Sequence, residues 1–134
     1  MANVTGSIGE QFYRVELKSP TGNTVIADEP LELGGKDLGF SPMELLASSL
    51  AACTSATLRM YADRKKWELA EVKIEVELNW DADAGKTTIN RKLELIGNLD
   101  DEQRARLLTI ANSCPVHKIL TNPIEIGTEL VANN

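Results

Sequence analysis

Two cysteines and a single histidine are the side chains best suited to covalent chemistry in this chain of 134 residues. A thiol reacts as its thiolate, which needs a nearby cation, a helix N-terminus or a hydrogen-bonding network to form at neutral pH. Cys114 precedes Pro115, and the spacing of the residues that follow places Pro115 at the first position of a short helix with Cys114 as its N-cap, where the helix dipole favours a thiolate. Cys53 lies in the middle of a long uncharged stretch, where the dipole does little, so its activation has to come from elsewhere in the fold. Taken alone it also reads as a small apolar residue of a packed helix. If the fold brings the two together, a peroxide can oxidise one thiol to a sulfenic acid and the other can condense with it to a disulfide, which a thiol reductant resets. His117, three residues after Cys114, suggests a thiol-imidazole pair or half a metal site. The apolar face Val116, Ile119 and Leu120 turns His117 and Lys118 outward, so a solvated histidine is expected. Two cysteines and one histidine are too few for a zinc centre without carboxylates, and no metal or cofactor is expected.

The element that carries Cys53 runs from Pro42 to about Lys66. Ser41 is a natural N-cap, Pro42 suits the first helical position, and Glu44 puts negative charge in the positive first turn. No residue from Leu45 to Leu58 is charged, and Leu45, Leu46, Leu50, Leu58 and the alanines cover more than one face. Such a helix is buried on all sides. It is too short an apolar run, and too interrupted by Ser and Thr, to span a membrane. Glu44 lies nine residues before Cys53, on the opposite side of the helix and roughly 13 Å away along its axis. It can therefore serve that thiol only through an arginine or from a neighbouring subunit; its local role is as a partner of the dipole.

The remaining chain reads as hairpins and short helices. Gln11 to Lys18 alternates as a strand containing Arg14, Ser19 to Asn23 turns, and Thr24 to Ala27 returns. Glu29 to Gly39 is a loop. Val72 to Trp80 alternates cleanly, Asp81 to Gly85 turns it, and Thr87 to Ile96 returns with Arg91 on its apolar parity. Asn98 or Asp100 caps a second helix whose apolar side is Leu107, Leu108, Ile110 and Ala111. Asn122-Pro123 ends the short third helix, and Ile124, Ile126, Thr128 and Leu130 form a last strand. The order β-β-α-β-β-α-α-β, without a repeated βαβ unit, is an α+β fold in one domain, residues 1–134. A chain this small rarely wraps a long apolar helix alone, so a homodimer packed around the central helices is expected. The net charge of −6 and the lack of a Lys/Arg stripe argue against nucleic-acid or anionic-membrane partners. With no signal-like N-terminus, a cytoplasmic location is expected.

Two stretches resemble a known family. Ser41-Pro42-Met43-Glu44-Leu45-Leu46 through Ala51-Ala52-Cys53-Thr54, preceded by Gly34-Gly35, together with Ala111-Asn112-Ser113-Cys114-Pro115-Val116-His117-Lys118, is similar to the OsmC/Ohr family of osmotically inducible and organic hydroperoxide resistance proteins. The resemblance implies an intertwined homodimer with two long central helices between β-sheets. It also implies a thiol peroxidase acting on organic hydroperoxides, with Cys53 attacking the peroxide, Cys114 resolving, and a dithiol or lipoyl-type reductant. Peroxidase members pair an N-terminal arginine with a glutamate directly after the helix-starting proline. That position is Met43 here, Glu44 follows it, and Arg14 is the arginine of the first strand. Two other functions are compatible with the same residues: a non-catalytic protein binding a hydrophobic small molecule in a dimer crevice, and a thiol redox sensor.

Overall fold

A computed structural model describes residues 1–132. Its elements, in chain order, are β1 (Thr5–Ser7), β2 (Val15–Lys18), β3 (Thr24–Ala27), α1 (Pro42–Lys65), β4 (Glu68–Asp81), β5 (Lys86–Asn98), α2 (Asp101–Ile110) and α3 (Pro115–Leu120), with tight 3-10 turns at Leu31–Leu33 and Ala111–Ser113. This is the mixed α+β class the sequence implies. Among the described residues, no helix is long and apolar enough to cross a membrane.

The chain divides into two compact units. One comprises residues 1–49 and 75–92; the other comprises residues 50–74 and 93 onward. Helix α1 and the β4–β5 hairpin each contribute one part to either unit.

The first unit holds the antiparallel sheet β1-β2-β3, in which Val15 faces Ala27 and Leu17 faces Val25. Its first strand, Thr5–Ser7, has no apolar alternation to mark it in the sequence. The loop after β3 is organised by Asp28, a buried carboxylate. Its Oδ1 accepts from the N–H groups of Tyr13 at 3.1 Å and Glu29 at 2.8 Å, and its Oδ2 from Lys36 at 3.3 Å and Leu38 at 3.1 Å. Burial alone would raise its pKa, but the four backbone donors outweigh it and hold the carboxyl below its ordinary value. The loop leads to the start of α1, where Ser41 Oγ accepts from Glu44 N at 3.2 Å and Glu44 Oε1 accepts from Ser41 N at 2.8 Å. This reciprocal capping box fixes the first turn.

The second unit has a core of Leu58, Leu107 and Ala111, against which Tyr61, Trp67, Val72, Leu93, Leu95, Leu99 and Ile110 pack. Burying a leucine side chain stabilises by about 1.5–3 kcal/mol. Leu50, Thr54, Leu58 and Ala62 recur every fourth residue and form the buried stripe of α1. Leu45, Ala47 and Ala51 beside it are half-buried, but Met43, Leu46 and Met60 of the same helix are exposed, so the helix is not covered on all sides within the chain. The helix ends on Lys66 in the left-handed conformation at φ 58°, with Trp67 N bonded to Ala62 O at 2.9 Å and Lys66 N to Asp63 O at 3.1 Å. The two bonds satisfy carbonyls the last turn would otherwise leave open.

Helix α2 starts at Asp100, whose carboxylate accepts from Gln103 N at 2.7 Å while Gln103 Oε1 accepts from Asp100 N at 2.9 Å. The end of β5 is clamped to it by Arg104, whose guanidinium donates to the carbonyls of Leu95 at 2.6 Å, Gly97 at 3.1 Å and Leu99 at 3.3 Å. Gly97, at φ 153°, allows this strand end to lie against the chain at Glu68, where a Cβ would run into the Glu68 carbonyl. Leu108, expected on the apolar side of α2, is exposed.

The expected last strand is not formed. Residues 123–132 adopt neither helix nor strand and are exposed. The alternation of Ile124, Ile126 and Leu130 is real, but a strand also needs a neighbouring edge to pair with its N–H and C=O groups. Among the described residues, no strand pairs with this segment.

Candidate functional site

Both cysteines belong to the second unit, and the fold brings them together there. Cys53 sits one residue before the buried Thr54 on α1 and is half-buried; Cys114 is fully buried. The position of Cys114 follows from Pro115. A proline disfavours a helical residue before it, so the chain leaves α2 through the 3-10 turn, with Cys114 N bonded to Ala111 O at 3.4 Å. At φ −59° and ψ 129°, Cys114 then heads α3, and Lys118 N bonds back to its carbonyl at 3.2 Å. Both thiols are reduced.

Their environments push them apart. For Cys114, burial opposes the thiolate, but the Cys53 S–H, the N–H groups of His117 and Val116 and the Thr54 hydroxyl favour it, and the net effect lowers its pKa. For Cys53, burial, donation of its own S–H to Cys114 and the charge on Cys114 outweigh help from Val116 N–H and the Thr57 hydroxyl, and its pKa is raised. The interaction between them makes Cys114 the readier of the two to ionise. The thiols therefore titrate as a unit.

Thr54, Thr57 and the Val116 N–H were not singled out from the sequence. Thr57 is four residues after Cys53, so helical spacing alone could have found it; the others depend on how α3 meets α1. His117 is half-buried, not turned to solvent, while Ile119, expected inward, is exposed. The six-residue α3 begins at a joint, and its facing differs from that of an ideal amphipathic helix. Glu44 is exposed and occupied in the capping box with Ser41. Arg14 is half-buried just ahead of β2, in the first unit. Arg91 is half-buried on its strand.

A separate open groove of 610 Å³ in the second unit includes Tyr61, Lys65, Trp67 and Arg106 and neither cysteine. Arg106 Nε donates to the Tyr61 hydroxyl at 3.0 Å. Among the described residues, no group of three or more His, Cys, Asp or Glu side chains is arranged to hold a metal ion.

Comparison with known proteins gives the family of the chain. The family model described as OsmC-like protein matches residues 34–129, and the chain belongs to that family. An organic hydroperoxide resistance protein of Bacillus subtilis, OhrB, is 26% identical with a TM-score of 0.62, and the match covers 90% of each chain. A Psychrobacter arcticus protein, named as a candidate osmotic stress induced and detoxification response protein, is 26% identical with a TM-score of 0.77, over 89% of this chain and 88% of that one. An OsmC-like protein of Mycoplasma pneumoniae shares the fold at 21% identity and a TM-score of 0.76, over 90% of this chain and 86% of that one. No curated protein matches the chain.

Proposed function

We propose that this protein is a two-cysteine peroxidase that reduces organic hydroperoxides. The observation that carries the reading is the contact between Cys53 and Cys114, a half-exposed thiol backed by a buried one. Cys53 Sγ attacks an oxygen of the hydroperoxide; an S–O bond forms, the O–O bond breaks, and the alkoxide leaves and is protonated to an alcohol. Cys114 Sγ then attacks the Cys53 sulfenic acid, an S–S bond forms, and the hydroxyl leaves as water. A dithiol of the lipoyl type reduces the disulfide by exchange and is itself oxidised.

The class of substrate is supported by the family and by the naming of the Bacillus subtilis relative for organic hydroperoxide resistance. A homodimer belongs to the proposal because α1 leaves Met43, Leu46 and Met60 uncovered. Glu44 enters as a positioning residue through the cap of α1. No guanidinium is among the groups acting most strongly on either thiol, and we assign Arg14 the task of supplying one within the dimer.

The test is consumption of cumene hydroperoxide with a dithiol reductant. Cys53→Ser is expected to abolish it, and Cys114→Ser to leave one stoichiometric oxidation without turnover. Consumption unchanged in both variants would contradict the proposal.

A further inference from the structure

The groove between the end of α1 and α2 brings two cations to one aromatic ring. Lys65, the last residue of α1, places Nζ 5.7 Å from the centre of the Tyr61 ring, and Arg106 of α2 places Cζ 5.8 Å from it. Both lie within the reach of about 6 Å over which a ring face attracts a cation. Trp67 meets the same ring edge-on, with centroids 5.5 Å apart and planes at 69°. Tyr61 and Trp67 are half-buried and pack on the core of Leu58, Leu107 and Ala111, so the two rings form a wall, whereas Lys65 and Arg106 are exposed. The 610 Å³ of the groove falls within the range of about 300–1,000 Å³ typical of small-molecule sites.

The donors along this wall remain available. Among the described residues the ion pairs lie elsewhere, at Lys18–Glu16 and Arg59–Asp63, and include neither Lys65 nor Arg106. Glu102 stands one helical turn before Arg106, at a spacing that suits an ion pair. Arg106 turns instead to the Tyr61 hydroxyl, to which its Nε donates at 3.0 Å. That bond uses one guanidinium donor and leaves the two Nη groups as a planar fork. The Tyr61 oxygen accepts, so its own hydrogen is left to donate. The acidic side chains of the lining are Asp100 and Glu102, and the Asp100 carboxylate is engaged by Gln103 N at 2.7 Å. These two negative charges balance Lys65 and Arg106. Without an excess of positive charge to gather a polyanion, recognition falls to the fork, whose geometry matches a carboxylate.

We propose that this groove binds a small monocarboxylate carried on a planar aromatic body. The Arg106 Nη fork and the Tyr61 hydroxyl take the carboxylate, Lys65 adds its charge beside them, and the aromatic body rests against Tyr61 and Trp67. The groove lies within the second unit and includes neither cysteine, so binding there is independent of the peroxidase reading.

The test is an NMR titration of the full chain with 2-naphthoate, read at the indole N–H signals of Trp67 and Trp80. Trp80 is exposed on β4 in the first unit and reports indiscriminate contact of the probe with aromatic surface. 2-Naphthalenemethanol keeps the rings without the charge, and inorganic phosphate supplies charge without rings. The expected result is saturable movement of the Trp67 signal with 2-naphthoate at millimolar concentration or below. The alcohol and phosphate should bind at least about tenfold more weakly, the loss expected for a charged bidentate contact. Arg106→Gln should weaken 2-naphthoate by about tenfold, and Arg106→Lys should recover only part of that, since it keeps the charge without the fork. Lys65→Gln should cost about two- to threefold, as suits an exposed charge. Equal binding of the alcohol would reveal an apolar patch, and phosphate binding as tightly as 2-naphthoate would reveal a general anion site. Parallel movement of Trp80, or movement that never saturates, would reveal indiscriminate contact. Movement of Trp67 with protein concentration alone would make the groove an interface between copies of the chain. Each of these results would overturn the proposal. If an Arg106 variant fails to fold, the wild-type comparison of acid with alcohol and the Lys65→Gln variant decide.

Discussion

Cys53, in the middle of α1, donates its thiol hydrogen to Cys114, at the head of α3, so one thiol of the pair is made more acidic at the expense of the other. The reduced protein should show this in its thiolate ultraviolet absorbance. One thiolate is expected to form below the ordinary cysteine value of about 8.5, and the second above it. In Cys53→Ala the lower transition should move up, because Cys114 loses its strongest donor. Two coincident transitions at the ordinary value would contradict the arrangement. The two shifts act oppositely on stability. The Cys114 contribution is present above its unfolded pKa and lost as pH falls through the lower folded value. The Cys53 contribution is present below its unfolded pKa and lost as pH rises through the higher folded one.

Asp28 gathers the N–H groups of Tyr13, Glu29, Lys36 and Leu38 and thereby shapes the loop that precedes α1. Asp28→Asn replaces one acceptor oxygen by a donor facing other donors, so the melting temperature should fall by several degrees. The folded carboxyl has the lower pKa, so its contribution is complete above the unfolded value of about 3.9 and disappears as pH falls through the folded one. Melting curves across acid pH should show this component in the wild type and lack it in Asp28→Asn. Identical pH dependence in the two would contradict the role.

Arg104 holds the carbonyls of Leu95 and Gly97 at the end of β5 and of Leu99 in the connection to α2. Arg104→Ala leaves them to find water or remain unpaired, at a cost of about 2 kcal/mol for charged hydrogen bonds of this kind. Arg104→Lys keeps the charge but not the planar fork, so it should recover only part of the loss in a urea unfolding curve. Full recovery by lysine would show that charge alone matters there.

What was legible in the sequence divides along the same physical line. Caps and joints are local, so Ser41 as the cap of α1, a cap at Asn98 or Asp100 for α2 and Cys114 ahead of Pro115 were readable from neighbouring residues, while the return bond of Glu44 to Ser41 emerged only from the structure. The long alternation from Val72 to Trp80 was readable for the same reason. The meeting of Cys53 with Cys114 depends on how α3 docks on α1, and residue patterns do not encode that docking; the family resemblance suggested it. Asp28 looked like any loop aspartate, because its partners are backbone groups, which have no residue identity. The segment from Ile124 to Leu130 had the right alternation but no partner edge among the described residues, and His117 was misplaced because a six-residue helix gives too little pattern to fix its facing.

The most direct measurement is the intact mass and free-thiol content of the reduced protein after one equivalent of cumene hydroperoxide. The expected result is rapid loss of both thiols with a mass decrease of about 2 Da, the signature of a Cys53–Cys114 disulfide within one chain. Two thiols that survive prolonged exposure to the hydroperoxide would contradict the peroxidase cycle.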